Sequence, residues 1–149
     1  MKKITVAVQR LPHAADLPLP AYQTTGAAGL DLVAALEAPL ILAPGERTLV
    51  PTGLIVAIPP GYEAQIRMRS GLALRHGLVL PNAPGTIDSD YRGEIKIIVA
   101  NLGTESFTLR RGERLAQMVV APVVQLEWEE TDDLPGTDRG TGGFGHTGQ

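Results

Sequence analysis

The stretch Tyr62-Glu63-Ala64-Gln65-Ile66-Arg67-Met68 decides the fold. Apolar residues stand at 62, 64, 66 and 68, and polar residues at 63, 65 and 67. A period of two puts each set on its own face of a pleated strand, so the stretch predicts a half-buried strand. Pro59, Pro60 and Gly61 close off the run before it. Outward from there, short β-like runs recur between turn signals. They cover residues 3–8, 30–35, 47–58, 94–101, 106–109 and 114–129, with the 47–58 run broken by Pro51 and Gly53. One short helix is expected over Ser70–His76, with Ser70 as its N-cap and Gly77 as its stop.

The composition agrees with this pattern. The 149 residues include 17 Gly and 12 Pro scattered along the chain, and each of these punctuates a helix. An all-β domain is expected: a jelly-roll-like barrel or sandwich with at most one short helix and a flexible Gly-rich C-terminal tail. Hydrophobic residues make up 44%, enough for a core over residues 1–131. Residues 132–149 hold six glycines and few apolar residues, so they read as a mobile arm.

Several classes are excluded. A net charge of -3 does not suit a protein that coats nucleic acid, which needs a basic face. It leaves room for one small nucleotide held by a few placed arginines. With no cysteine there is neither a disulfide nor a thiolate metal site. No run approaches the ~20 apolar residues of a membrane helix, and the first twenty residues lack a secretory apolar stretch, so a cytoplasmic location is expected. His13, His76 and His146 have no ligand-like spacing, which argues against a histidine-held metal.

Five stretches carry more chemistry than structure needs. They are Ala28-Gly29-Leu30-Asp31-Leu32, Arg69-Ser70-Gly71-Leu72-Ala73, the run from Gly85 to Glu94, Arg111-Gly112-Glu113-Arg114-Leu115-Ala116-Gln117, and the run from Arg139 to Gly148. Each has a plain structural reading when taken alone. Asp31 after a glycine is a turn former, Asp88, Asp90 and Glu94 make a solvated acidic turn, and Tyr91 is a core aromatic. The arginines at 111 and 114 are surface ion-pair partners, and Gln117 is a polar strand residue. Arg69-Ser70-Gly71 also has the parts of an anion site: backbone N–H groups, a hydroxyl and a guanidinium. The tail resists the plain reading, because glycines alone do not explain Arg139 and Phe144 set among them. Backbone amides of a glycine-rich segment can lie on phosphates, and an aromatic ring can stack on a base.

In this order and spacing, the five stretches resemble the five motifs of the trimeric dUTPase family, from Gly26 to Gly148. The resemblance implies a β jelly roll, a homotrimer with active sites between subunits, and hydrolysis of dUTP to dUMP and pyrophosphate with Mg²⁺. That activity keeps uracil out of DNA and supplies dUMP for dTMP synthesis. Asp88 matches the general base that activates a water for attack on the α-phosphorus. Asp31 matches the aspartate that holds the Mg²⁺ region, mainly through waters. Arg69, Ser70, Gly71 and Gln117 match phosphate-side contacts, Arg139 a phosphate clamp and Phe144 a ring over uracil. The turn between Pro81 and Lys96 matches the hairpin that reads uracil, with Asn82 at its mouth and backbone near Thr86, Ile87 and Lys96. Tyr91 matches the tyrosine under the deoxyribose that excludes a 2′-hydroxyl.

Three residues depart from the family pattern: Met68 where proline is frequent, Thr86 where an aliphatic residue is common, and His146 where a small hydroxyl residue is common. A dCTP deaminase shares the fold and part of the motif set, but Tyr91 and the complete tail with Phe144 favour a dUTPase. An idle nucleotide-binding trimer would not be expected to keep Asp31, Asp88, Gln117 and Arg139 together. A purely structural jelly roll leaves the tail unexplained.

Overall fold

The computed structural model describes residues 3–146. Its strands are β1 (Ala7–Arg10), β2 (Leu30–Val33), β3 (Leu40–Leu42), β4 (Arg47–Pro51), β5 (Leu54–Ala57), β6 (Tyr62–Met68), β7 (Leu78–Val79), β8 (Gly85–Ile87), β9 (Lys96–Asn101), β10 (Phe107–Leu109) and β11 (Arg114–Pro122). The one α-helix, α1 (Ser70–His76), follows β6 directly, and a 3-10 turn spans Pro12–Ala14. The all-β expectation holds, without a closed barrel among the described residues.

The strands form four sheets, all antiparallel: β2-β11-β6-β8, β4-β9-β7, and the pairs β1-β5 and β10-β3. All four feed one core. Leu32, Ala64, Ile66, Ala116 and Met118 come from the first, Val50, Leu78, Ile97 and Val99 from the second, and Leu54, Val56, Leu42 and Leu109 from the pairs. Each large aliphatic side chain removed from water here stabilises the fold by about 1.5–3 kcal/mol. β6 fulfils the alternation read from its sequence: Ala64 and Ile66 are buried, with Tyr62 and Met68 packed beside them. Its other face is polar, where Gln65 Nε2 donates to Glu63 (2.7 Å) and Arg67 donates to Gln65 Oε1 (2.7 Å).

Several expected boundaries are corrected. The run expected at 3–8 pairs only over Ala7–Arg10, against Leu54–Ala57. The run expected at 114–129 stops at Pro122, where β11 loses the partner that β6 supplied from Tyr62 to Met68. Every residue from 122 to 141 is exposed. Ser70 is not the helix cap: Arg69 takes that position in extended backbone, no side chain caps the turn, and Ser70 is the first helical residue. Gly77 ends α1 as expected, in left-handed backbone (φ 67°) with its N–H on the carbonyl of Ala73.

Candidate active site

Sheet register assembles the first group of site residues. Asp31 on β2 and Arg67 on β6 both sit opposite Gln117 on β11, and partners across an antiparallel pair point to the same face. The neighbouring residues Leu32, Ala116 and Met118 face the core, so this row looks outward. A register shift between Arg114 and Ala116 then changes the alternation. Leu115 and Ala116 are both fully buried although consecutive, which is what a β-bulge permits. The bulge puts Arg114 back on the outward face with Gln117. Its guanidinium meets Asp31 Oδ2 at 3.1 Å, while Arg69 Nε meets Asp31 Oδ1 at 3.3 Å. Asp31 thus holds two guanidiniums together, which would otherwise repel, beside the exposed Ser70.

A Cβ on Gly29 would stand 2.5 Å from Gln117 Oε1, so a side chain there would push the Gln117 amide from its place across the start of β2. Gln117 Nε2 donates weakly to the carbonyl of Met68 (3.4 Å), a contact that a better acceptor would displace.

The second group lines a cavity of about 420 Å³ that runs from the 81–96 segment to the β4–β9 sheet. Asn82, Thr86, Ile87, Asp88, Tyr91 and Lys96 all line it, and so do Leu49, Glu94 and Ile98. Ile87 packs on the core, and β8 pairs with β6 through Gly85, Thr86 and Ile87. Asp88 begins a turn, its carbonyl accepting the N–H of Tyr91 (3.2 Å). The Tyr91 ring folds over Gly93, where a Cβ would come within 2.2 Å of its hydroxyl. That hydroxyl donates to the carbonyl of Glu94 (3.0 Å).

The third group stands apart. Arg139 Nε donates to the carbonyl of Gly142 (2.7 Å), and the other backbone bonds of the 137–146 segment are equally local. Phe144 is fully exposed, in left-handed backbone (φ 50°). Neither Arg139 nor Phe144 lines the cavity or touches the Asp31 cluster. Thr147 and Gly148, the end of the fifth motif, lie outside the described residues.

Arg114 is the surface ion-pair partner expected, paired with Asp31, and the bulge puts it on the same face as Gln117. Sequence reasoning passed over one residue of the cavity wall. Glu94 read as part of an acidic turn, although it closes the cavity wall. The other arginine reading holds: Arg111 pairs with Asp16 and keeps that carboxyl below its ordinary range, chiefly by hydrogen bonding to it.

Asp31 is the one carboxylate of the arginine cluster, and among the described residues no group of three or more His, Cys, Asp or Glu could cage a metal ion. This donor set fits Mg²⁺ of the kind held mostly by substrate phosphates and water, with one carboxylate nearby.

A family model described as dUTPase matches residues 15–148. The deoxyuridine 5'-triphosphate nucleotidohydrolase of Methylocella silvestris is 59% identical over 147 residues, covering 97% of this chain and 92% of that protein. The dUTPase of Staphylococcus bacteriophage 80alpha, solved with dUPNHPP, superposes with a TM-score of 0.87 at 25% identity, over 99% of this chain and 100% of that one. A variant dUTPase from phage phi11 of S. aureus, whose structure shows the coordination of a structural Mg(II) ion, superposes with a TM-score of 0.78 at 23% identity, over 87% of this chain and 98% of that one.

Proposed function

We infer the workings of this site from a chain that belongs to the dUTPase family and hydrolyses dUTP to dUMP and pyrophosphate. We propose that the cavity, the arginine cluster and the C-terminal arm are the three parts that do it, each contributed by a different copy in a homotrimer. The observation that carries this reading is their separation. Among the described residues, no hydrogen bond or ion pair joins the cavity residues Asn82, Thr86, Asp88, Tyr91 and Lys96 to Asp31, Arg69, Arg114 and Gln117, or either set to Arg139 and Phe144. Three copies supply each group to the others. The exposed segment after β11 supports this, since Val124, Leu126 and Trp128 recur at strand spacing yet pair with no strand among the described residues.

In this reading uracil enters the cavity past Asn82, against backbone at Thr86, Ile87 and Lys96. Tyr91 lies under the deoxyribose, its ring filling the space a 2′-hydroxyl would need. Arg69, Ser70, Gly71 and Gln117 receive the phosphates. The Ser70 hydroxyl suits this role because it caps nothing. Arg114 and Arg69 add positive charge, and Asp31 fixes their spacing. Asp31 is the residue that would hold Mg²⁺, through water, and the ion would supply positive charge to offset that of the phosphate oxygens. Asp88 orients a water and takes its proton as that water attacks the α-phosphorus. The arm then closes, Arg139 gripping the outer phosphates and Phe144 stacking on uracil. Residues 132–149 act here as a mobile arm on a body formed by 1–131. His146 stands where a hydroxyl is common, so its ring N–H rather than a hydroxyl would face phosphate. The working location is the cytoplasm, where dUTP is available; no helix of the described residues is long and apolar enough to cross a membrane.

The test is a substrate panel of dUTP, dCTP, dTTP and UTP with Mg²⁺, read by pyrophosphate and ammonia release. Pyrophosphate from dUTP alone is expected. Ammonia from dCTP would replace this reading with a deaminase.

A further inference from the structure

Glu94 is largely buried at the cavity wall, with only 13% of its side chain exposed, and the reaction outlined above gives its carboxylate no task. Its partners show one. Oε1 accepts the backbone N–H of Gly53 (2.8 Å) and a hydrogen bond from His13 Nε2 (2.9 Å). An ionised carboxylate only accepts, so His13 presents its N–H at Nε2. Oε2 stands 3.7 Å from Lys96 Nζ.

His13 is itself held in place. It belongs to the Pro12–Ala14 turn, Leu11 donates its N–H to the carbonyl of Gly53 (2.8 Å), and Arg111 donates to the carbonyl of His13 (2.8 Å). One residue beyond Glu94, the fully buried Ile95 donates its N–H to the carbonyl of Leu54 (2.8 Å). The Ile95 carbonyl accepts from the buried hydroxyl of Thr52 (2.6 Å). The backbone at 94–95 is therefore clamped by the 52–54 turn and by the N-terminal turn. What this clamp presents to the cavity is the carbonyl of Glu94, and that carbonyl holds the Tyr91 hydroxyl.

We propose that His13 and Glu94 are positioning residues that fix the Tyr91 ring through the Glu94 carbonyl and so set how strictly the pocket rejects a ribonucleotide. The proposal rests on the reading of Tyr91 as the sugar-side residue. A ring excludes a hydroxyl only if it cannot swing aside. Tyr91 is 43% exposed, so packing alone does not hold it. Its hydroxyl bond and its contact with Gly93 are the restraints, and the first depends on where the Glu94 carbonyl lies.

The experiment is a double-mutant cycle on the full-length protein with Mg²⁺, read as the ratio of kcat/KM for dUTP to kcat/KM for UTP. His13→Ala and Tyr91→Phe should each lower the ratio by about fivefold, the scale of one lost hydrogen bond, through KM more than kcat. The double variant should fall no further than the lower single one, because both changes cut the same chain of contacts. His13→Gln, whose amide N–H can still donate to Glu94, should restore most of the ratio. A His13→Ala protein that melts earlier but keeps the wild-type ratio overturns the proposal and leaves His13 a structural residue. Multiplicative effects of the two changes also overturn it. Tyr91→Ala separates the two levels. If it lowers the ratio while His13→Ala does not, the positioning role alone fails. If it leaves the ratio unchanged, the sugar-side reading of Tyr91 fails and the positioning role falls with it.

Discussion

The body of sheets and the arm beyond it solve opposite problems with the same chain. In the body, functional side chains hang from residues the core has already fixed. Asp31, Gln117 and Arg67 share a face because Leu32, Ala116, Met118 and Ile66 are buried on the other. In the arm, the described residues from 137 to 146 are exposed or half-buried, and their bonds run within a few residues. The body can therefore hold its geometry before substrate arrives, whereas in the proposed reading the arm would gain its partners from substrate and from another copy. Ordering such an arm costs about 1–2 kcal/mol of backbone entropy per fixed residue, so closure is favoured only when phosphates and base are both present.

This contrast gives ordered expectations. Asp88→Asn leaves the body intact and removes the proposed base, so turnover should fall by about 10²–10⁴-fold while dUTP binding and Tm stay near wild type. Near-normal turnover would remove Asp88 from its role. Deleting residues 138–149 should slow hydrolysis by about a hundredfold, since stacking and phosphate contacts are lost together, with almost no change in Tm. An unfolded truncation product would erase the distinction between body and arm. Phe144→Ala removes only the stacking, and about a tenfold loss in kcat/KM is expected. Arg139→Ala should weaken handling of dUTP much more than binding of dUMP, measured by titration; equal losses would contradict a grip on the outer phosphates.

Much of the body was legible because its strands repeat their pattern long enough to be counted. Tyr62–Met68 shows seven alternating residues and is a strand over that whole span. Leu40–Leu42, Leu78–Val79 and Gly85–Ile87 were missed, since two or three residues carry no period and exist as strands only through their partners. The opposite error came at 123–129, where Val124, Leu126 and Trp128 keep the period of two without a partner strand among the described residues. The motif residues were legible as chemistry but not as places. Arg114 needed the bulge to be seen beside Asp31, and Ser70 looked like a cap until the backbone put Arg69 there. Glu94 could not be separated from its acidic neighbours without the contacts to Gly53 and His13.

The smallest expected effect lies in an exposed ion pair on the surface of the body. Asp16, paired with Arg111, has a carboxyl held below its ordinary value of 3.8. A depressed folded value means its contribution to stability is present above the unfolded value and is lost as pH falls through the folded one. Asp16→Asn should therefore leave hydrolysis at pH 7 unchanged within about twofold, as for an exposed ion pair. It should flatten the fall in Tm only in the acid range below the ordinary carboxylate value. A large effect at neutral pH would show that the N-terminal turn matters more to the body than its exposure suggests.

The claim that body and arm meet between copies can be tested by mixing. Asp88→Asn chains carry an intact arm on a disabled body, and chains lacking 138–149 carry an intact body without an arm. Each alone should be nearly inactive. Co-refolded mixtures, shown by native mass spectrometry to contain both chains in one trimer, should hydrolyse dUTP well above the sum of the separate preparations, because some sites then pair a sound Asp88 with a sound arm. Mixed trimers no more active than that sum would contradict the account, since they would mean that each arm serves only its own chain.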